Sequence, residues 1–108
     1  MKIYIASPYT IGDKQKNVAK QIEVANILLS LGHYPFWPLS CHYLHEAKNR
    51  DYETWMRYDL EWLKVCDCLL RLPGESKGAD IEEQFARENQ IPIYYETDLS
   101  QLQEMGRL

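Results

Sequence analysis

The sequence predicts an α/β fold built around a parallel β-sheet. Short apolar segments rich in β-branched and aromatic residues alternate with longer segments whose apolar residues recur at helical spacing. Strands that alternate with helices form βαβ units, in which the strands run parallel and the crossovers are right-handed. The chain has 108 residues, and residues 1–108 are predicted to form a single domain.

The first half of the chain supplies two predicted strands and one helix. Residues 3–6 form a short apolar run, which the turn-prone residues Ser7 to Thr10 end. Residues 14–31 carry apolar side chains at helical spacing, and Gly32 closes that helix. Residues 33–37 are predicted to be the second strand. Residues 40–50 show no clear period and are predicted to be a covering or functional loop.

The second half repeats the alternation of helices and strands. Residues 51–65 are predicted to be helical, with Asp51 as the N-cap. Residues 67–72 form an apolar strand that only Arg71 interrupts, and residues 73–78 form a loop. A helix over 79–89, a strand over 91–95 and a last helix over 98–105 complete the prediction.

The two most apolar strands are predicted to be central neighbours in the sheet. Residues 3–6 and 67–72 are short and almost entirely apolar, as strands covered on both faces should be. Ligands of open parallel sheets bind beyond the carboxyl ends of such strands. The loop Ser7-Pro8-Tyr9 and the loop over 73–78 should therefore face each other across one crevice.

Composition limits the partners and the compartment. The net charge of −4 argues against binding to a nucleic-acid backbone, which needs clustered Lys and Arg. No apolar run approaches the ~20 residues of a membrane span, and no signal-peptide pattern precedes the first strand. The prediction is a cytoplasmic protein whose three cysteines are reduced. His42 and His45 lack the second half of a zinc site, so no metal is expected.

Residues 74–78 form a polar loop that ends at the start of a predicted helix. Free backbone N–H groups and the positive end of the helix dipole favour an anion there, and Ser76 and Lys77 add donors beside Gly78. The spacing is not that of a Walker loop. The alternative is a flexible turn with solvated polar residues.

Two carboxylates are candidates for chemistry. Glu82 is placed in the first turn of the helix over 79–89, on one face with an alanine and a phenylalanine. Asp59 shares a helical stripe with Trp55 and Trp62, and desolvation there would raise its pKa and suit it to proton transfer. The alternative interpretation of Asp59 is a residue at the edge of the core whose carboxylate pairs with Arg57 or Lys64. A carboxylate pair in one pocket is typical of glycosidic chemistry.

Four segments together resemble the nucleoside 2-deoxyribosyltransferase superfamily, which includes the 2'-deoxynucleoside 5'-phosphate N-hydrolases. The segments are KIYIASPY at 2–9, DLEWL with CD at 59–67, GADIE with an alanine at 78–86, and IPI at 91–93. The resemblance implies a flavodoxin-like three-layer sandwich with a four- to five-stranded parallel sheet. It also implies a homodimer or higher homo-oligomer.

The same resemblance assigns roles to individual residues. Glu82 matches the nucleophile, and Asp59 matches the aspartate that assists proton transfer. Tyr4, Ala6 and Ser7 match the pocket-lining first strand and loop, which continues into Pro8 and Tyr9.

Ser76 bears on the choice of substrate. The transferases resemble one another in having an aspartate at this position, which holds the sugar 5'-hydroxyl, whereas the nucleotide hydrolases tend to have a serine that contacts a 5'-phosphate. Ser76 beside Lys77 therefore favours a nucleoside 5'-monophosphate. The first loop differs from the glycine-rich, arginine-containing form of those hydrolases.

The predicted function is cleavage of the base–sugar bond of a (deoxy)nucleoside 5'-monophosphate through a covalent glycosyl-enzyme on Glu82. No cofactor is expected, and the partner is a small nucleoside or nucleotide. Three alternatives stay open. The first is a nucleoside 2-deoxyribosyltransferase, which passes the sugar to a second base instead of water. The second is a non-catalytic nucleotide sensor that uses the same crevice. The third is a structural or interaction module, against which the position of Asp59 between two tryptophans counts.

Overall fold

The computed structural model describes residues 1–95 and Glu104. These residues form four strands and four α-helices, with one 3-10 turn over Pro38–Ser40, and the second and third helices follow one another without a strand between them. The strands are β1 (Lys2–Ala6), β2 (Tyr34–Phe36), β3 (Cys68–Arg71) and β4 (Ile93–Tyr95). The helices are α1 (Lys14–Ser30), α2 (Cys41–Ala47), α3 (Tyr52–Leu63) and α4 (Lys77–Glu88). Within the described part of the chain, none of the helices is long and apolar enough to span a bilayer.

The sheet is parallel throughout, with the strand order β2-β1-β3-β4. The central pair aligns Ile3 with Cys68 and Ala6 with Arg71. The prediction that the first and third strands are central parallel neighbours is confirmed. This order is that of the flavodoxin-like fold, in which the chain reverses its winding direction between β1 and β3. The predicted fold class is confirmed.

The core has two layers, one on each face of the sheet. Ile3 and Ile5 of β1 pack with α1 on one face. Tyr4 and Ala6 alternate to the other face, where they pack with buried residues of α3 and α4. The alternation of β1 therefore sends the Tyr4 side chain towards α4.

Side-chain caps fix where three helices begin. Asp13 accepts a hydrogen bond from the Lys16 N–H, and Asp51 accepts one from the Thr54 N–H at 2.8 Å. The predicted N-cap role of Asp51 is confirmed. Ser76 caps α4 by accepting from the Ala79 N–H at 3.1 Å.

A predicted loop and a predicted helix start were wrong, and a third prediction lies outside the described residues. Residues 40–50 were predicted to be a loop, but Cys41–Ala47 is a helix. Cys41 is the one fully buried residue of this helix, so its sequence shows no apolar period. The helix predicted over 79–89 begins earlier, at Lys77, because Ser76 caps it. The predicted helix over 98–105 lies outside the described residues except for Glu104.

Candidate active site

A cavity of about 540 Å³ opens at the carboxyl ends of β1 and β3. Its walls come from the loop after β1, the loop before α4, the first turns of α4, and helices α2 and α3. This is the switch point of the sheet, where the loops after two neighbouring strands diverge and leave a crevice. The two loops predicted to face each other do so.

Glu82 lies at the floor of this cavity with only 5% of its surface exposed. The residue was predicted to lie in the first turn of its helix, but α4 begins at Lys77 and places it in the second turn. The hydroxyl of the fully buried Tyr4 donates a hydrogen bond to Glu82 Oε2. Strand β1 therefore fixes the orientation of the carboxyl group.

The environment of Glu82 favours its protonated form. Burial raises its pKa to about 8, and the negative charge of Asp59 acts in the same direction. The Tyr4 hydrogen bond and the positive charge of Arg71 oppose this shift. Tyr4 itself has a pKa raised well above its usual value, by burial and by the charge of Glu82, so it remains a hydrogen-bond donor.

Asp59 lines the same cavity from α3. Its Oδ1 atom is buried without a hydrogen-bond partner among the described residues, and burial raises the pKa of the carboxyl to about 7. Of its two alternative partners, Lys64 pairs with Glu61 at 2.7 Å, and the described residues show no ion pair between Arg57 and Asp59. The two carboxyl groups thus share one cavity, and each is more easily protonated than in water.

The two tryptophans that were predicted to lie beside Asp59 are in different places. Trp55 lines the cavity with Asp59. Trp62 instead stacks on Phe36, with 5.3 Å between ring centroids, and leaves about half of its surface exposed. The spacing alone could not show this, because Trp62 contacts a strand that is distant in sequence.

Most of the predicted binding residues line the cavity. Those that line it are Ser7, Tyr9, Ser76, Lys77 and Gly78. Ala6 lies instead in the core between the sheet and α3 and α4.

Pro8, which is also outside the lining, packs against the loop before α4. A methyl group added to Gly74 would lie 2.6 Å from Pro8 Cγ. Gly74 also has a φ of +122°, which a side chain would strain. The contact between Pro8 and Gly74 therefore holds the two loops of the cavity together.

The comparisons with known proteins agree with this geometry. The family described as a domain of unknown function, DUF7768, matches residues 1–96. The chain belongs to the DUF7768 family. No curated protein matches it. A solved structure of the 2-deoxyribosyltransferase from the psychrotolerant bacterium Bacillus psychrosaccharolyticus superposes with a TM-score of 0.69 and 27% identity. The match covers 90% of this chain and 72% of that one. The predicted nucleoside 2-deoxyribosyltransferase superfamily is confirmed.

Gln21 is a structural residue of this DUF7768 domain that the sequence analysis missed. It is fully buried, and its side-chain amide donates to Ile5 O at 3.1 Å and Ser7 Oγ at 2.8 Å. Its carbonyl oxygen accepts from the Leu39 N–H at 2.8 Å. A glutamine three residues after Val18, on the apolar face of α1, was the available signal.

Arg71 is a second residue whose role was missed. Its guanidinium donates to Gly74 O at 2.7 Å and to Asp80 at 3.0 Å, and it lies 3.5 Å from Glu83. The charged residue that interrupts β3 therefore ties the end of this strand to the following loop and to α4.

Positive and aromatic side chains surround the mouth of the cavity. Lys14 lies over the Tyr9 ring and Arg50 over the Trp55 ring, at 5.4 and 5.6 Å from the ring centroids. Both cations line the cavity together with Lys77. Among residues 1–95 and Glu104, no group of three or more His, Cys, Asp or Glu could hold a metal ion.

Proposed function

We propose that the chain cleaves the N-glycosidic bond of a (deoxy)nucleoside 5'-monophosphate, with Glu82 as the nucleophile. The observation that carries this proposal is the pair of buried carboxyl groups, Glu82 and Asp59, in one cavity at the switch point of the sheet. Glycosidic chemistry uses such a pair, one member as nucleophile and the other as acid and base.

The pair carries one proton, which Glu82 binds more tightly than Asp59 because its pKa is the higher of the two. The reactive form is the other arrangement, in which this proton has moved to Asp59 and Glu82 is ionised. Glu82 attacks C1' of the sugar while the C1'–N bond breaks, and Asp59 gives its proton to the leaving base. The glycosyl ester on Glu82 is then hydrolysed by water, which Asp59 deprotonates, and the pair returns to its starting form. The Tyr4 hydrogen bond orients Glu82 and helps it to ionise. The mechanism uses no cofactor and no metal.

The start of α4 supports a phosphate as part of the substrate. Ser76 uses a lone pair to accept from the Ala79 N–H, so its hydroxyl proton can point to a ligand oxygen. Lys77, Lys14 and Arg50 place positive charge around the same cavity. A helix N-terminus adds the favourable end of its dipole.

A second candidate is a nucleoside 2-deoxyribosyltransferase, which the similarity to the solved 2-deoxyribosyltransferase favours. The two reactions share the glycosyl-enzyme and differ only in the group that accepts the sugar. In either case we propose that residues 1–108 form one domain of a cytoplasmic protein that assembles with copies of itself. Light scattering of the purified protein would test the assembly.

The test is incubation with matched nucleosides and nucleoside 5'-monophosphates, in deoxy and ribo forms, followed by chromatography of released base. Release from monophosphates in water alone supports the hydrolase. Release that depends on a second base supports the transferase. No release from any substrate, together with tight nucleotide binding, would favour the sensor and contradict the enzyme.

Two variants make this test specific. Glu82→Gln should abolish base release, because an amide does not form the glycosyl ester. Glu88→Gln, an exposed change on the same helix, should leave it unchanged. An active Glu82→Gln protein would refute the proposed nucleophile.

A further inference from the structure

A hydrogen-bonded chain of three side chains lies at the cavity wall formed by α2. The Tyr9 hydroxyl is 2.5 Å from His42 Nδ1, and the other ring nitrogen of His42 is 2.9 Å from a carboxylate oxygen of Glu46. Tyr9 and His42 both line the cavity. The mechanism proposed above uses none of these three residues.

When the His42 imidazole is neutral, the order of the three groups fixes the direction of each hydrogen bond. An ionised Glu46 can only accept, so His42 Nε2 must carry a hydrogen atom. In a neutral imidazole the other nitrogen, Nδ1, is then an acceptor, and it takes the single proton of the Tyr9 hydroxyl. The lone pairs of the Tyr9 oxygen are left to face a ligand. Tyr9 is therefore an acceptor on the cavity side.

The aromatic side chains that line the cavity are where the nucleobase of the substrate would bind. The sugar C1' must lie at Glu82 on α4. Tyr52 and Trp55 of α3 supply aromatic rings at the cavity wall, and Tyr9 lines the cavity from the loop after β1. Aromatic rings stack on nucleobases without regard to sequence. The polar edge of a base stacked there would meet the Tyr9 oxygen.

We infer that Tyr9 determines base specificity by accepting a hydrogen bond from an exocyclic amino group. The site then favours 6-aminopurines and 4-aminopyrimidines over their oxo analogues, which present a carbonyl oxygen to the same acceptor. His42 and Glu46 are positioning residues, because they act only through Tyr9. This inference rests on the proposed function for its ligand class.

The test compares bases that differ in the exocyclic group and in the hydrogen on the adjacent ring nitrogen. Deoxyadenosine against deoxyinosine and deoxycytidine against deoxyuridine are two such pairs, used as nucleosides and as 5'-monophosphates. Calorimetric binding to the Glu82→Gln protein gives the ratio of Kd values without turnover. The amino form of at least one pair should bind about tenfold more tightly, because the oxo form leaves two acceptors facing each other.

Variants in the Glu82→Gln background separate Tyr9 from its surroundings. Tyr9→Phe should bring the ratio close to unity. Tyr43→Phe is the matched control, because the Tyr43 ring also contacts His42 but lies outside the cavity lining, and it should keep the ratio. Glu46→Ala removes the exposed carboxylate that fixes the imidazole tautomer and should reduce the ratio while nucleotides still bind.

The binding measurements test the role of Tyr9, whereas base release tests the proposed reaction. A preference for amino bases that Tyr9→Phe removes supports the inference even if the protein releases no base and the proposed reaction is wrong. Equal affinity within both pairs, a preference for oxo bases, no binding of any probe, or a preference that survives Tyr9→Phe would overturn it, even if the enzyme is active.

Discussion

Replacing Glu82 with glutamine is expected to stabilise the protein at alkaline pH and to change its stability little in acid. The reason is the proton affinity of this carboxyl group, whose pKa burial raises from 4.5 to about 8. Below pH 4.5 the group is protonated in both the folded and the unfolded chain. Between the two pKa values the folded chain binds the proton more tightly, so the free energy of unfolding falls as pH rises.

The size of the effect follows from the shift in pKa. Each unit of pKa corresponds to ~1.4 kcal/mol, so a shift from 4.5 to about 8 gives an upper limit of about 5 kcal/mol. The neighbouring Asp59 titrates in the same range and shares part of this energy, so we expect about 2–5 kcal/mol. Glutamine has nearly the shape of a protonated glutamate and does not ionise, so it avoids the cost of a buried charge.

The measurement is urea unfolding followed by tryptophan fluorescence at about pH 5 and about pH 9, on either side of the transition. The free-energy difference between Glu82→Gln and the natural protein should be small at the lower pH and should favour the variant at the higher one. Glu88→Gln should show no such trend, since that side chain is exposed. A difference for Glu82→Gln that does not depend on pH would refute the reasoning, because the carboxyl would then titrate as it does in water.

Three further predictions concern catalysis and the loops. A plot of kcat/KM against pH should be bell-shaped and highest between about pH 7 and pH 8, because the pair of Asp59 and Glu82 carries a single proton there. A value of kcat/KM that does not change between about pH 5 and about pH 9 would contradict this. Ser76→Asp keeps a good N-cap and should lower turnover of monophosphates about tenfold or more relative to nucleosides by charge repulsion; equal losses for both substrates would mean that the loop is only structural. In urea unfolding, Gly74→Ala should destabilise the protein by about 1–3 kcal/mol more than Gly12→Ala, because both glycines have positive φ but, of the two, Gly74 alone has a close neighbour. Equal losses of stability in the two variants would show that the close contact costs nothing.

The sheet could be predicted because its signals are local. The apolar runs at 3–6 and 67–72 are continuous, and the alternation with helices leaves few topologies. Asp59 and Glu82 were each singled out by the side chains on their own helix. Both line one cavity because α3 and α4 pack on the same face of the sheet. Their roles as catalytic residues stay predictions.

The helix α2 and the contacts between distant segments could not be predicted. A seven-residue helix with one buried position has no period to detect. The pairs Tyr9–His42 and Gln21–Leu39 join residues 33 and 18 positions apart, and no spacing rule relates them. Such contacts depend on how a loop lies over the sheet. The residues around either partner do not predict that arrangement.

The contact between Pro8 and Gly74 has a consequence for protein engineering. Because the proline ring fills the space beside the glycine, the loop after β1 and the loop before α4 fit only each other. Transplanting one of them from a relative, to alter ligand specificity, would create a clash or a gap at this point. The two loops should be exchanged together, with junctions at the ends of β1 and β3 and at the starts of α1 and α4.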